Sequence, residues 1–98
     1  MPASFNLAAD DAYARVAKLV HHLGMHHGTL LNGTITLEVV LTHQEIADMT
    51  GVNRQTVTRI LGDLRAKRVL SIQRRRIRID DAAKLNLLIH STASPAGL

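Results

Sequence analysis

The stretch from Leu41 to Leu64, L-T-H-Q-E-I-A-D-M-T-G-V-N-R-Q-T-V-T-R-I-L-G-D-L, leaves the chain few choices of fold. Thr42 followed three residues later by Glu45 forms a capping box, in which side chains and backbone N–H groups satisfy one another at a helix start. Gly51 marks the end of that helix, because only glycine enters a left-handed turn without a Cβ penalty. Ile46, Ala47 and Met49 supply a short apolar face, and Val52 is expected to plug the turn. Asn53 is a good N-cap for a second helix. Along it Val57, Ile60, Leu61 and Leu64 recur at helical spacing and predict one buried face. Arg54, Gln55, Thr58 and Arg59 then fall mostly on the other side, with chemistry suited to bases and phosphates. Two helices crossing steeply at a glycine-containing turn, the second carrying exposed Arg and Gln, are what a DNA-binding helix-turn-helix requires. A plain helical hairpin would account for the apolar spacing, but not for the caps, the turn glycine and the basic second helix together.

Charge is segregated as a polyanionic partner would demand. Nine of the twelve Lys and Arg residues lie between Arg54 and Arg78: Arg54, Arg59, Arg65, Lys67, Arg68, Arg74, Arg75, Arg76 and Arg78. Only Asp63 opposes them, so this segment carries +8 (9 − 1) and the rest of the chain −4 (3 − 7), within a net charge of +4.

A chain of 98 residues predicts a single domain, with a core over about 9–89 and flexible ends at 1–7 and 91–98. The absence of cysteine excludes disulfides, thiolate catalysis and cysteine-held metal or iron–sulfur centres. No window is long and apolar enough for a membrane span, and the start lacks the pattern of a signal peptide, so a cytoplasmic location is expected. No glycine-rich phosphate loop, carboxylate pair beside a histidine or activated nucleophile is evident. The expectation is a binding module and not an enzyme, with no cofactor.

Before the central stretch, Asp10 or Asp11 is expected to cap a helix whose stripe is Tyr13, Val16, Ala17, Val20 and Leu23, with Gly24 and Gly28 marking its end and the following loop. Gly28 to Gly33 suggests a turn-rich loop, and the alternation of Ile35, Leu37, Val39 and Leu41 predicts a half-buried strand. His22 and His26 are four apart and could share a helix face as metal-binding pairs do. No carboxylate lies close in sequence to complete such a site, and surface histidines favoured by the dipole at a helix C-terminus are the preferred reading. After the second motif helix, Val69–Ile72 and Ile77–Ile79 predict two short strands joined by Gln73–Arg76. The arginine-rich tip of that hairpin departs from favoured two-residue turn chemistry. Asp80 or Asp81 should cap a last helix with Ala82, Leu85, Leu88 and Ile89 as its apolar face. The fold class expected from this order is α+β, a winged helix-turn-helix of three to four helices with a small antiparallel β wing.

The pattern L-T-x-x-E-I-A-x-x-x-G-V-x-R-x-T-V-x-R-I-L-x-x-L resembles the helix-turn-helix of the cyclic-AMP receptor protein and fumarate-nitrate regulator superfamily of bacterial transcription factors. The run T-V-T-R-I-L-G-D-L-R looks most like its cyanobacterial nitrogen-control branch. The resemblance covers about Asp11 to Ile89, the C-terminal half of a usual member. By motif position, Arg54 matches the family's guanine-reading arginine and Arg59 the second arginine further along the helix, while Gln55 sits where many relatives carry Glu. The resemblance implies base reading by Arg54, Gln55 and Arg59. Backbone contacts are expected from Thr42, His43, Gln44, Asn53, Thr56 and Thr58, and from Arg74, Arg75 and Arg76 on the wing. It also implies palindromic double-stranded DNA sites, a dimer in the full-length context and RNA polymerase as a further partner. The sensor domain and dimerisation helix of a usual member are not recognisable here, so the isolated chain is expected to be a monomer or weak dimer, and no effector is carried over. A piece of a longer regulator and a stand-alone domain both fit. The rival expectation is a winged helix that binds protein without reading DNA; it would carry apolar residues where Arg54, Gln55 and Arg59 stand.

Overall fold

The caps at the centre of the chain form as expected. In the computed structural model, which describes residues 2–37 and 40–93 with side chains over 12–37 and 40–90, helix α2 spans His43–Thr50. The Glu45 N–H donates to Thr42 Oγ1 at 3.0 Å, and the Thr42 N–H donates to Glu45 Oε1 at 2.8 Å. Gly51 then takes φ 74° and donates its N–H to the Ala47 carbonyl. Asn53 Oδ1 accepts from the Thr56 N–H at 2.8 Å and opens α3, Arg54–Ala66. Val57, Ile60, Leu61 and Leu64 are all buried, as are Ile46, Ala47 and Val52. Met49, expected on the apolar face of α2, is instead 55% exposed. In a helix this short, Ile46, Ala47 and Thr50 occupy the inward arc, which leaves Met49 at its edge.

Around this pair run helix α1 (Pro2–His27), strands β1 (Gly28–Leu31) and β2 (Thr34–Leu37), strands β3 (Leu70–Gln73) and β4 (Arg76–Ile79), and helix α4 (Ala82–Ala93). The strands form one antiparallel sheet in the order β1-β2-β4-β3. Its inner face, with Ile35, Leu37, Leu70, Ile77 and Ile79, shares one core with Val16, Ala17 and Val20 of α1, the buried residues of α2 and α3, and Leu85 and Ile89 of α4. Asp81 caps α4, its carboxylate accepting from the Lys84 N–H at 2.9 Å.

Several expectations are corrected here. Helix α1 starts at Pro2, so Asp10 and Asp11 lie within it and do not cap it; proline suits a first helical position, where its missing N–H is no loss. Gly24 does not end α1, which continues to His27. Its lack of a side chain makes room for the sheet: a Cβ there would lie 2.5 Å from Ile79 Cδ1, and one at Gly28 would lie 2.5 Å from the Gly24 carbonyl oxygen. The segment expected as a loop is a hairpin, β1–β2, turning at Asn32 and Gly33 with φ of 52° and 80°. The strand expected through Leu41 ends at Leu37, and Val39 lies outside the described residues. Helix α4 includes Ser91–Ala93, assigned above to a tail.

One polar cluster ties α1 to α3. The Tyr13 hydroxyl donates to Asp63 Oδ2 at 2.7 Å, and Lys67 Nζ sits 2.9 Å from the same oxygen and 5.4 Å from the Tyr13 ring centroid. The Lys67 bond first, and the Tyr13 bond second, hold the Asp63 carboxyl below the usual carboxylate range. Burial, aided by Asp63, pushes the Tyr13 hydroxyl up. A depressed folded-state pKa stabilises above the ordinary aspartate value and is lost as pH falls through the depressed one. Tyr13→Phe should therefore cost about 1 kcal/mol near neutral pH, discounted for the exposure of Asp63, a fall in Tm of roughly 4–8 °C. The penalty should shrink once the pH is well below about 4. Thermal melts at both pH values test this; an equal penalty at both would assign the effect to packing alone.

Candidate nucleic-acid interface

The buried face of α3 decides what its other face can present. At about 100° per residue, Arg54, Gln55, Thr58 and Arg59 fall within an arc of roughly 140° opposite the buried four. All four are exposed, and Asn53, Arg54, Gln55 and Thr58 line a shallow depression at the start of the helix. Gly62 falls in the same arc, and a Cβ built there would meet nothing within 4 Å. A glycine in a helix interior costs about 1 kcal/mol relative to alanine. Among the described residues no packing need explains it.

The residues expected at the phosphate backbone are brought to the same side by the two helix starts. His43 Nδ1 lies 2.7 Å from Thr58 Oγ1, which links the first residue of α2 to the exposed face of α3. Thr42 and Asn53 spend their side-chain oxygens as acceptors in the caps. The Thr42 hydroxyl proton and the Asn53 amide protons stay available as donors. Gln44 donates to Asp48 at 3.0 Å along α2, and Thr56 is half-buried.

The wing turn closes in a way its sequence did not announce. Gln73 pairs with Arg76, leaving Arg74 and Arg75 as a two-residue loop with φ of 52° and 68°. The other hairpin makes the same kind of turn with Asn32-Gly33, the residues that such positive-φ turns favour. Arginine in the left-handed region costs about 1–2 kcal/mol per residue. Arg68 also adopts a positive φ, 60°, just past α3, where the Val69 N–H bonds the Leu64 carbonyl and the Arg68 N–H that of Arg65. That pattern is a Schellman closure with arginine at glycine's usual place. Three arginines are thus held in strained backbone within the basic segment, as happens where side-chain function outweighs local comfort. Among the described residues, no acidic side chain forms an ion pair with Arg54, Arg59, Arg74, Arg75 or Arg76. Asp63 pairs with Lys67, and Asp80 lies 3.6 Å from Arg78.

His22 and His26 do meet, with ring centroids 4.3 Å apart and planes tilted by 42°. Among the described residues, no group of three His, Asp or Glu could hold a metal ion. No helix among them is long and apolar enough to cross a membrane.

A capped helix pair with an exposed basic second helix, flanked by an antiparallel wing and backed by further helices, defines a winged helix-turn-helix domain. The model of the Crp-like helix-turn-helix domain matches residues 14–88, and the chain belongs to that family. It is 36% identical over 80 residues to the global nitrogen regulator of Nostoc sp. and 35% identical to that of Synechococcus elongatus, in each case over 82% of this chain and 36% of the relative. It is 30% identical, with the same coverage, to the CRP-like cAMP-activated global transcriptional regulator of Mycobacterium tuberculosis. The chain therefore spans about a third of the length of these relatives, all named as regulators and none as an enzyme. Among solved structures it is similar to the CO-dependent transcription factor CooA from Carboxydothermus hydrogenoformans, with a TM-score of 0.75 and 30% identity over 88% of this chain and 42% of that one. The fold is shared too by oxidized CprK in complex with o-chlorophenolacetic acid, at a TM-score of 0.76 and 24% identity over 82% of this chain and 34% of that one.

Proposed function

We propose that this domain binds double-stranded DNA in a sequence-specific manner and regulates transcription from the cytoplasm. The observation that carries the reading is the two-sidedness of α3: four buried residues anchor it, while Arg54, Gln55 and Arg59 stay exposed without acidic partners among the described residues. Arg54 and Gln55 open the helix, the end that enters the major groove in this motif, and Arg59 follows a turn later. Thr42, His43, Gln44, Asn53, Thr56 and Thr58 hold the phosphates beside the groove. Arg74, Arg75 and Arg76 place guanidinium groups against the backbone or a narrow minor groove. Half-sites of a palindrome about one helical turn apart would be read by a dimer in the full-length context, with RNA polymerase as the partner of the bound complex. By itself the chain is a monomer or weak dimer.

Selection from random duplexes, followed by electrophoretic shift assays, tests this reading directly. A consensus of a few base pairs should emerge, bound more tightly than scrambled duplex. About four phosphate contacts per module should give a log–log slope of affinity against salt near −3 to −4. A flat salt dependence, or no enriched sequence, would assign the basic face to another partner.

A further inference from the structure

The sheet has two edges, and they are built differently. At one, β3 is bracketed by Arg68 and Arg74, charges that deter a further strand. At the other, β1 has no such guard: no aspartate, glutamate, lysine or arginine stands between Lys18 and Glu38. Among the described residues no strand pairs with the outer side of β1, and Leu30 and Leu31 are 69% and 70% exposed there. Paired residues share a sheet face, so Thr29, Thr36, Arg78 and Ser71 form one row across the outer face. Leu31 lies on that face too, in a depression it shares with exposed Val40. Leu30 pairs with the core residue Ile35 and so belongs to the inner face. The two-residue turn at Asn32-Gly33 makes Leu31 and Thr34 a hydrogen-bonded pair. Alternation along the ladder then turns the N–H and C=O of Leu30 away from β2, toward the open edge.

We propose that this edge pairs with the same edge of a second copy of the chain, antiparallel, about a two-fold axis through Leu30. Leu30 then faces its own counterpart, and the two residues exchange both backbone hydrogen bonds. Leu31 meets Thr29 of the copy on the outer face. A shift by one residue would set the inner face of one copy against the outer face of the other. Centring the axis on Thr29 would set Leu30 against Gly28, and only the Leu30 register sets leucine against leucine. Such self-complementarity is what a two-fold interface requires. An uncharged edge offers a strongly charged partner nothing, whereas a second copy brings a matching one. The basic strand β4 and its counterpart then lie five strand spacings apart, roughly 24 Å, against a Debye length of about 8 Å. Four residues of edge give less than the roughly 1,000 Å² of a lasting dimer, so the pairing is weak between free chains. It strengthens wherever two copies are already held close together. The pairing does not depend on the DNA-binding reading.

Sedimentation equilibrium from micromolar to millimolar concentration tests it. The mean mass of the unaltered chain should rise from the monomer toward twice that value. Leu30→Lys sets like charges directly opposite each other and should hold the chain at the monomer mass, as should Leu30→Glu. Mixed in equal amounts, the two variants should associate again, because opposite charges now face each other across the axis. Leu87→Lys, at an equally exposed leucine of α4, should leave the rise unchanged. Amide exchange of the unaltered chain provides a check that needs no variant: the Leu30 N–H should slow as concentration rises. A chain that stays monomeric at millimolar concentration, or a Leu30 amide indifferent to concentration, would overturn the pairing. So would a mixture of the two variants that stays monomeric, a species larger than a dimer, or loss of association on Leu87→Lys. A different protein that binds the chain but not Leu30→Lys, while the chain alone remains monomeric, would assign the edge to that protein instead.

Discussion

Arg54→Ala should weaken binding to the best site by roughly 1–3 kcal/mol and flatten preference at one base position, the discrimination that a bidentate arginine–guanine pair supplies. The fold should survive, because Arg54 is exposed at the first position of α3 and makes no ion pair among the described residues. The cap beneath it, Asn53 to the Thr56 N–H, does not involve its side chain. Gln55→Glu is the complementary change. A carboxylate only accepts, and cytosine N4 donates, so preference at the facing base should move toward cytosine. Selections run on the two variants decide the matter. If both return the parent consensus, α3 is not the reader, whatever its resemblance to one.

Replacing Arg74-Arg75 by Asn-Gly should shift stability and affinity in opposite directions. Both positions already have positive φ, and the β1–β2 turn shows the same geometry made by Asn32-Gly33. Relief of two left-handed arginines should raise stability by up to about 2 kcal/mol, the lower end of the per-residue cost taken twice, with part of any glycine gain offset by a more flexible unfolded chain. The same exchange deletes two guanidinium groups, and the salt slope should become shallower by about 2. Affinity should fall about equally across sequences, since phosphate contacts position and do not specify. Denaturant unfolding and shift assays on one preparation separate the two effects. Loss of stability would show that the wing arginines are held by contacts within the domain. A change in base preference would make the wing a reader.

How far this molecule could be anticipated varied with the range of the interactions involved. The capping box at Thr42 and Glu45, the left-handed Gly51 and the caps at Asn53 and Asp81 each involve groups within a few residues of one another. The buried face of α3 follows from helical spacing alone. The segregation of charge is likewise a property of the chain. The β1–β2 hairpin carries a strong local signal in its turn, Asn32-Gly33. Its first strand, G-T-L-L, lies at the sheet edge with three of its four residues exposed, so no alternation marks it.

By itself, then, the sequence determined the two capped helices, the basic exposed arc of α3 and the family, because caps, turns and helical spacing are short-range constraints met within a few residues. It was the tertiary structure that decided the rest. Gly24 stays inside α1 because the sheet needs the space above it, not because the chain must turn there. Arg68, Arg74 and Arg75 are forced to positive φ by how α3 must turn into β3 and how β3 must return as β4. Tyr13 finds Asp63 fifty residues away only once α1 has packed across α3. The row of Thr36, Arg78 and Ser71 exists only in the register of three strands drawn from two separate parts of the chain. These features depend on which distant surfaces compete for the same core, and no local pattern of residues encodes that competition.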